Sequence, residues 1–325
     1  MANKVTILDV AKASGYGVGT VSRVLSGEAS VKESTRQKIL KVIEELNYTP
    51  NVTGARLRTQ HSGVIAVMVP IIFHPFFSEF LEDVESAAAE KGYSILLVAS
   101  QMNVEKEREI LRKIKRKEVD GAIFVTHYEH DDVDLKDCPL VSIDRHLNHS
   151  VPFVSSDNYD ATRKAIEMLI NSGAKKIGYI GSKPFVDSEI LLREKAYIDV
   201  MNEHHLPTMI LNEAIAHGEE ERLASQFLEK YPDLDAIFAS GNTLTDIIYF
   251  RLANQGKRMP EDIQLVGYDG VNYNLDGYPK ISAISQPIKE MAIAAFNILI
   301  DLIHGKEVKQ KNIFKTKFVK GSTTK

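Results

Sequence analysis

The chain has 325 residues, 44% of them hydrophobic, and a formal net charge of −4 at neutral pH. That length suits two or three domains with sizeable cores, and the composition excludes a disordered or fibrous chain. The one cysteine, Cys138, excludes a disulfide within the chain; beside Pro139 and before LVSI it reads as a small buried hydrophobe, not a nucleophile. MANKVTILDV leads straight into a helical pattern, and no apolar run is long enough to span a bilayer. The expectation is a soluble, cytoplasmic protein with no membrane association.

Ile7, Val10 and Ala11 recur at helical spacing. Thr6 precedes them as a hydroxyl cap, and Gly15 stands where a left-handed turn ends the helix. Val18 to Leu25 form a second helix with Val21, Val24 and Leu25 facing inward. Gly19, Thr20, Ser22, Arg23 and Ser26 then face outward, with Val18 at the exposed N-terminal end. Ser34 or Lys32 opens a third helix, whose Ile39, Leu40, Ile43 and Leu46 close a small core. That order is a helix-turn-helix head, which sets one helix in the major groove of double-stranded DNA. Hydroxyls donate to phosphates, and Arg23 is suited to bridge a guanine edge with two hydrogen bonds. Residues 1–60 hold nine Lys/Arg and five Asp/Glu, net +4, against net −8 for the remainder, so charge favours DNA at the same end. Gly15, Gly17 and Gly19 follow a helix and not a strand, which excludes a nucleotide-binding loop. TPNVTGARLRTQ follows as a tether, Pro50 ending the third helix.

Beyond the tether, short apolar strands alternate with helix-length segments. GVIAVMVP, SILLVAS and GAIFVT are strands, separated by FFSEFLEDVESAAAEKGY and EKEREILRKIKRKEVD as helices. KKIGYIGS, TMILN, AIFASG and IQLVGYD repeat the pattern, with helices between them. PIKEMAIAAFNILIDLIHG is a final helix and NIFKTKFVKGS a final strand, which return to complete the lobes. The pattern predicts βαβ units and two doubly wound parallel-sheet lobes, an α/β body behind an all-α head. Ligands of such sheets sit beyond the carboxyl ends of strands, here between the lobes. His127-x-x-His130 and His146-x-x-His149 have metal-like spacing, but both lie in charged loops without a second fixed pair and read as solvated histidines. No metal site, cofactor motif or catalytic set stands out, so no enzyme is expected.

TILDVAKASG, TVSRVLSG and VKESTRQKILKVIEELNYTPN resemble the head of the LacI/GalR family of bacterial transcription repressors, densely over residues 5–58. The resemblance implies a helix-turn-helix domain at 1–48, a hinge at 49–61 and an effector-binding body at 62–325. The body is similar to the periplasmic binding proteins, with one lobe at about 62–157 plus 287–308 and the other at about 160–284 plus 312–321. The implied DNA-contacting residues are Thr6, Gly17, Val18, Gly19, Thr20, Ser22, Arg23 and Leu57. Gly17 stands where the family has a capping Ser, and Val18 and Gly19 occupy its two base-reading positions. In the family the hinge becomes helical only when two chains share operator DNA, and a leucine then wedges into the minor groove; Leu57 takes that place. Gly54 replaces the usual Ala, and Arg56 shifts the usual Arg by one.

The same resemblance nominates an effector shell of Phe73, Phe76, Asp157, Arg193, Asn242 and Asp269. IIFHPFF matches the family's NPFF stretch with His74 in place of Asn; Phe73, Phe76 or Phe77 can stack on a sugar ring, core packing being favoured for Phe77. Asp157 falls at a crossover between lobes, Arg193 at the position of a ligand-gripping arginine, and Asp269 at that of an acidic ligand contact. Asn242 stands where the family mostly has Asp, and Glu220 where it often has an aromatic. Pairing of Arg193 with Asp269 is the alternative to ligand contact. The resemblance therefore implies a ligand-responsive repressor, a homodimer on a pseudo-palindromic operator, with a sugar or sugar phosphate between the lobes. Its rival is a catabolite-control-type regulator whose main effector is a phosphorylated carrier protein. No leucine heptad follows the last strand, which favours a dimer over a zipper-linked tetramer.

Overall fold

The computed structural model describes residues 5–25, 30–48, 61–125, 128, 130, 133, 135–270 and 278–325. Ser26, His127 and the tether with Gly54 and Leu57 lie outside the described residues. The chain forms two compact units, Met1–His61 and Ser62–Lys325.

In the first unit three helices enclose one small core: α1 (Ile7–Ser14), α2 (Val18–Leu25) and α3 (Glu33–Glu45). Thr6 and Asp9 close a reciprocal cap at the start of α1: the Thr6 amide donates to Asp9 Oδ2 at 2.8 Å, and the Asp9 amide donates back to Thr6 Oγ1 at 3.4 Å. Gly15 ends α1 at φ 73°. Val10, Val21, Val24 and Ile39 are buried together with Tyr48. Neither side chain proposed to open α3 caps it: Lys32 takes the N-cap position without a side-chain bond. Leu40, expected in the core, is 43% exposed; Val42 packs inward in its stead. A residue directly after Ile39 lies about 100° round the helix from it, enough to leave the buried stripe.

The second unit holds two six-stranded sheets. Its first lobe runs β1 (Val64–Val69), α4 (Pro75–Glu90), β2 (Ser94–Ala99), α5 (Val104–Lys115), β3 (Gly121–Phe124), β4 (Leu140–Ile143) and β5 (Phe153–Ser156). The second runs α6 (Asn158–Asn171), β6 (Ile177–Ser182), α7 (Leu191–Glu203), β7 (Met209–Glu213), α8 (Glu220–Lys230), β8 (Ala236–Ala239), α9 (Asn242–Asn254), β9 (Gln264–Asp269) and β10 (Ser282–Ser285). The chain then returns through α10 (Ile288–Ile303) and β11 (Lys311–Phe314) and ends past β12 (Lys317–Val319). The orders are β11-β5-β4-β3-β1-β2 and β12-β10-β9-β8-β6-β7. All described pairings are parallel except β10 with β12. Helices cover both faces, so the central strands are apolar throughout, as in VIAVMV and AIFA. α10 belongs to the first lobe: Met291, Ala295, Phe296 and Leu299 share a core with Ile65, Val67 and Phe80.

Three segments join the lobes: Asp157 between β5 and α6, Gln286 and Pro287 between β10 and α10, and Lys315 and Thr316 between β11 and β12. The third corrects the sequence reading. NIFKTKFVKGS is two strands in different sheets, so residues 311–314 complete the first lobe and only the chain past Thr316 joins the second. A continuous strand pattern carries no mark of which sheet accepts each half. Among the described residues no helix is long and apolar enough to cross a membrane.

Gly267, mid-strand in β9, gives a test of this packing. A Cβ there would lie 2.6 Å from both Cγ2 and Oγ1 of Thr245, whose hydroxyl is held by the Gly241 carbonyl at 2.8 Å. Gly267→Ala should therefore push α9 off the sheet and cost about 1–3 kcal/mol of stability. Urea denaturation measures the loss, and Thr245→Ala in the same chain should recover part of it.

Candidate functional site

A cavity of about 470 Å³ lies between the lobes, within the range of small-molecule sites. Its polar wall is built from strand ends: Asp144 follows β4, Ser240 follows β8, Asp269 ends β9 and Gln286 follows β10. His74, Phe76 and Phe77 enter from the start of α4, and Ile190, Ile215 and Leu244 add apolar surface from the other lobe. β4 and β9 hold the same place in their sheets, third from the C-terminal edge strand. Each is followed or ended by an aspartate at positive φ, 57° at Asp144 and 80° at Asp269. Side chains rarely adopt that region without compensation, and it concentrates at functional sites.

Arg193 is 3% exposed and anchors the second lobe's side. Its Nε donates to Asn158 Oδ1 at 2.6 Å and its Nη1 to the Ser240 carbonyl at 2.7 Å. The guanidinium carbon lies 3.5 Å from the centre of the Tyr268 ring. A guanidinium has five donors, so its fork retains capacity beyond these bonds. No ion pair joins Arg193 to Asp269 among the described residues; Asp269 Oδ1 accepts from Gln286 Nε2 at 2.7 Å. Burial pushes the Asp144 carboxyl above the usual range, while the Arg193 charge and the Ser155 hydroxyl, 2.6 Å away, act against it. Burial pulls Arg145 down to about 10 against the pull of Asp144. Burial likewise lowers His74, which faces Asp269, His217 and Glu220 across the cavity.

Of the effector residues expected from sequence, Phe76, Arg193, Asn242 and Asp269 line the cavity. Phe77 lines it too while packing against the first lobe's core. Phe73 does not: it is 94% exposed. The preceding strand ends at Val69, and the turn that starts α4 directs Phe76 and Phe77 inward instead. Asp157 is not in the wall either. It accepts from the Thr316 amide at 2.8 Å and pairs with Lys315 at 3.2 Å, tying two lobe crossings together. Asp144, Arg145, His217 and Gln286 line the cavity without having been singled out. For Asp144 a signal existed: LVSID repeats the apolar-run-then-aspartate pattern of IQLVGYD.

On the DNA-facing side, Gly17, Val18, Gly19 and Arg23 are exposed and Thr20 is half-buried. The Gly17 carbonyl accepts from the Thr20 and Val21 amides, placing it at the N-cap of α2. Ser22, expected to face outward, is 6% exposed, because it sits between Val21 and Val24 on the side turned toward the core. The Thr6 hydroxyl is engaged with Asp9 Oδ2 at 2.7 Å. His130 is not a solvated histidine: it is fully buried, its Nε2 2.7 Å from Glu107 Oε2. His146 is half-buried, edge-on to Phe153, and His149 is exposed. No metal-binding cluster occurs among the described residues. Cys138 is half-buried against the first lobe's second core.

The raised Asp144 carboxyl has a measurable consequence. A folded-state pKa above the unfolded value of about 3.9 gives stability that is full below that value and is lost as pH rises through the folded pKa. Asp144→Asn removes the titration, so the variant should gain on the wild type as pH rises from about 4 to 8. Urea midpoints across that range check it; a constant difference would mean that the carboxyl titrates normally.

Comparison with known proteins agrees with this architecture. Residues 6–51 match the model for bacterial regulatory proteins of the lacI family, and residues 166–324 match that for a periplasmic binding protein-like domain. A ribose operon repressor of Halalkalibacterium halodurans is 32% identical over 323 residues, covering 98% of this chain and 97% of that protein. The lac repressor dimer bound to operator and the anti-inducer ONPF superposes with a TM-score of 0.84 at 23% identity, covering 99% of both chains. A periplasmic binding protein/LacI transcriptional regulator from Alkaliphilus metalliredigens, complexed with D-xylulofuranose, matches 81% of this chain and 99% of its own at TM-score 0.72 and 27% identity. Head, lobes and relatives converge: the chain belongs to the LacI family of bacterial transcriptional regulators, DNA-binding repressors that are not enzymes.

Proposed function

We propose that this chain is a cytoplasmic repressor that binds a pseudo-palindromic operator as a homodimer and is switched by a neutral carbohydrate held between its lobes. The observation that carries the ligand class is the chemistry of the cavity wall. Two guanidiniums, Arg145 and Arg193, face three carboxyls, Asp144, Asp269 and Glu220, so no excess of positive charge awaits a phosphate. Carboxylates accept from hydroxyls and guanidiniums donate to them, while Phe76 and Phe77 offer an apolar face to ring carbons. Relatives named for a ribose operon and bound to D-xylulofuranose support the same class. The ligand shifts operator affinity only through its differential affinity for two lobe arrangements.

The test is a thermal-shift screen of the full chain against D-ribose, D-xylulose, sucrose and the phosphates of the two pentoses. A ligand that binds the native state alone raises the melting point. Stabilisation by a free sugar and not by its phosphate is expected; the reverse would overturn the neutral-ligand reading.

Two substitutions separate the working surfaces. Arg23→Ala should weaken operator binding by about 1–3 kcal/mol and relax base preference, the worth of one guanine contact. An unchanged consensus from a randomised-operator selection would remove Arg23 from the base readers. Asp269→Ala should leave folding and operator binding intact but weaken sugar binding by about 1–3 kcal/mol, because ligand hydroxyls lose their acceptor on closure. Calorimetry with the sugar that stabilises the wild type measures this, and equal affinity would place Asp269 outside the ligand shell.

A further inference from the structure

Gln286 stands where three features of the body meet. It lies in the second lobe crossing, between β10 and α10. It is 6% exposed, and it lines the cavity. Its Nε2 donates to Asp269 Oδ1 at 2.7 Å. Its Oε1 is buried without a hydrogen-bond partner. The amide orientation follows from chemistry: with the oxygen turned to Asp269, two acceptors would face each other. Buried acceptors are nearly always satisfied, and one left open costs stability unless something else fills the role. A buried, open acceptor in the wall of a ligand-sized cavity is a binding position for a donor.

We infer that Gln286 is both a positioning and a ligand-reading residue. Its amide nitrogen fixes the Asp269 carboxylate, and its amide oxygen accepts a hydroxyl hydrogen from the carbohydrate. The second Asp269 oxygen and the Gln286 oxygen then form an adjacent acceptor pair, suited to two neighbouring hydroxyls of one sugar. The consequence is mechanical as well as chemical. Asp269 belongs to a strand end of one lobe, whereas Gln286 belongs to a segment about which the lobes turn. A ligand bound to both bonds the wall and the crossing at once, so occupancy is registered where lobe rotation begins. This inference rests on the carbohydrate reading of the same cavity.

Calorimetry on the full chain tests it, with whichever of D-ribose, D-xylulose and sucrose stabilises the wild type, and with that sugar's monodeoxy derivatives. Gln286→Met keeps the length and removes both polar atoms. Sugar affinity should fall about tenfold or more, while the melting point without sugar is unchanged or raised, because the open acceptor is gone. One monodeoxy derivative should bind the wild type more weakly than the parent sugar does, yet bind Gln286→Met as well as the parent does, since the shared bond can be lost only once. Gln286→Glu keeps an acceptor but repels Asp269, and should bind no better than Gln286→Met. Sugar affinity within twofold of wild type in Gln286→Met would overturn the inference while leaving the carbohydrate reading standing. A lower melting point with no deoxy position shared between the two proteins would reduce Gln286 to a structural role and overturn it equally. Failure of the wild type to bind any of the sugars would instead overturn the carbohydrate reading, and this inference with it.

Discussion

The buried guanidinium of Arg193 is the constraint around which the body is arranged. A cation at 3% exposure is tolerable only if its donors are met and its charge is balanced. The partners come from separate parts of the chain. Asn158 opens α6 just past the first lobe crossing, Ser240 closes β8, and the Tyr268 ring lies flat beneath the charge in β9. Asp144, from the other lobe, contributes the opposing field. Four elements must therefore be in place before Arg193 is stable where it is, and once they are, the second lobe's strand ends and a crossing are fixed together. The cavity is the space left in front of that assembly.

Across it the two sheets present matching ends. β4 and β9 occupy the same position in their orders, and each delivers an aspartate in the left-handed region. That correspondence explains why the cavity is acidic at its centre although both lobes have mixed surfaces. It also sets a conflict: each aspartate's charge raises the cost of the other's, and burial raises both. Arg193 and Arg145 lessen the conflict, and a polyhydroxylated ligand lessens it further by donating to the carboxylates. A phosphate would add to the negative charge instead. Recognition of hydroxyls thus follows from electrostatics that the fold creates by repeating one lobe.

Much of this was legible in the sequence, and the failures have physical causes. The head's helices could be read because their apolar residues recur at helical spacing and Thr6 with Asp9 and Gly15 mark the ends of α1. Periodicity fixes a buried stripe only to about a quarter turn, and so Ser22 and Leu40 were assigned to the wrong sides. The alternation of helices and strands announced two parallel lobes, but the division of 311–319 between sheets depends on partners far away in sequence. His130 was misread because its loop is rich in charge. The clue lay elsewhere: Glu107 shares the apolar face of α5 with Ile110, Leu111 and Ile114, and an acid on a buried face requires a partner. Phe73 and Phe76 carry the same side chain three residues apart, and only the turn into α4 separates solvent from cavity.

The crossings show how a small ligand can act on so large a body. Each lobe is packed around its own cores and resists internal change, so motion is confined to the three joining segments. Those segments are bonded to one another and to the cavity wall: Asp157 to Thr316 and Lys315, Ser156 to Tyr268, Gln286 to Asp269. Rotation of the lobes must strain or exchange these bonds, which gives it discrete states in place of a continuous drift. A ligand placed against Asp269 and Arg193 touches the same network from its open side. Its binding energy therefore enters the lobe equilibrium directly, without passing through either core.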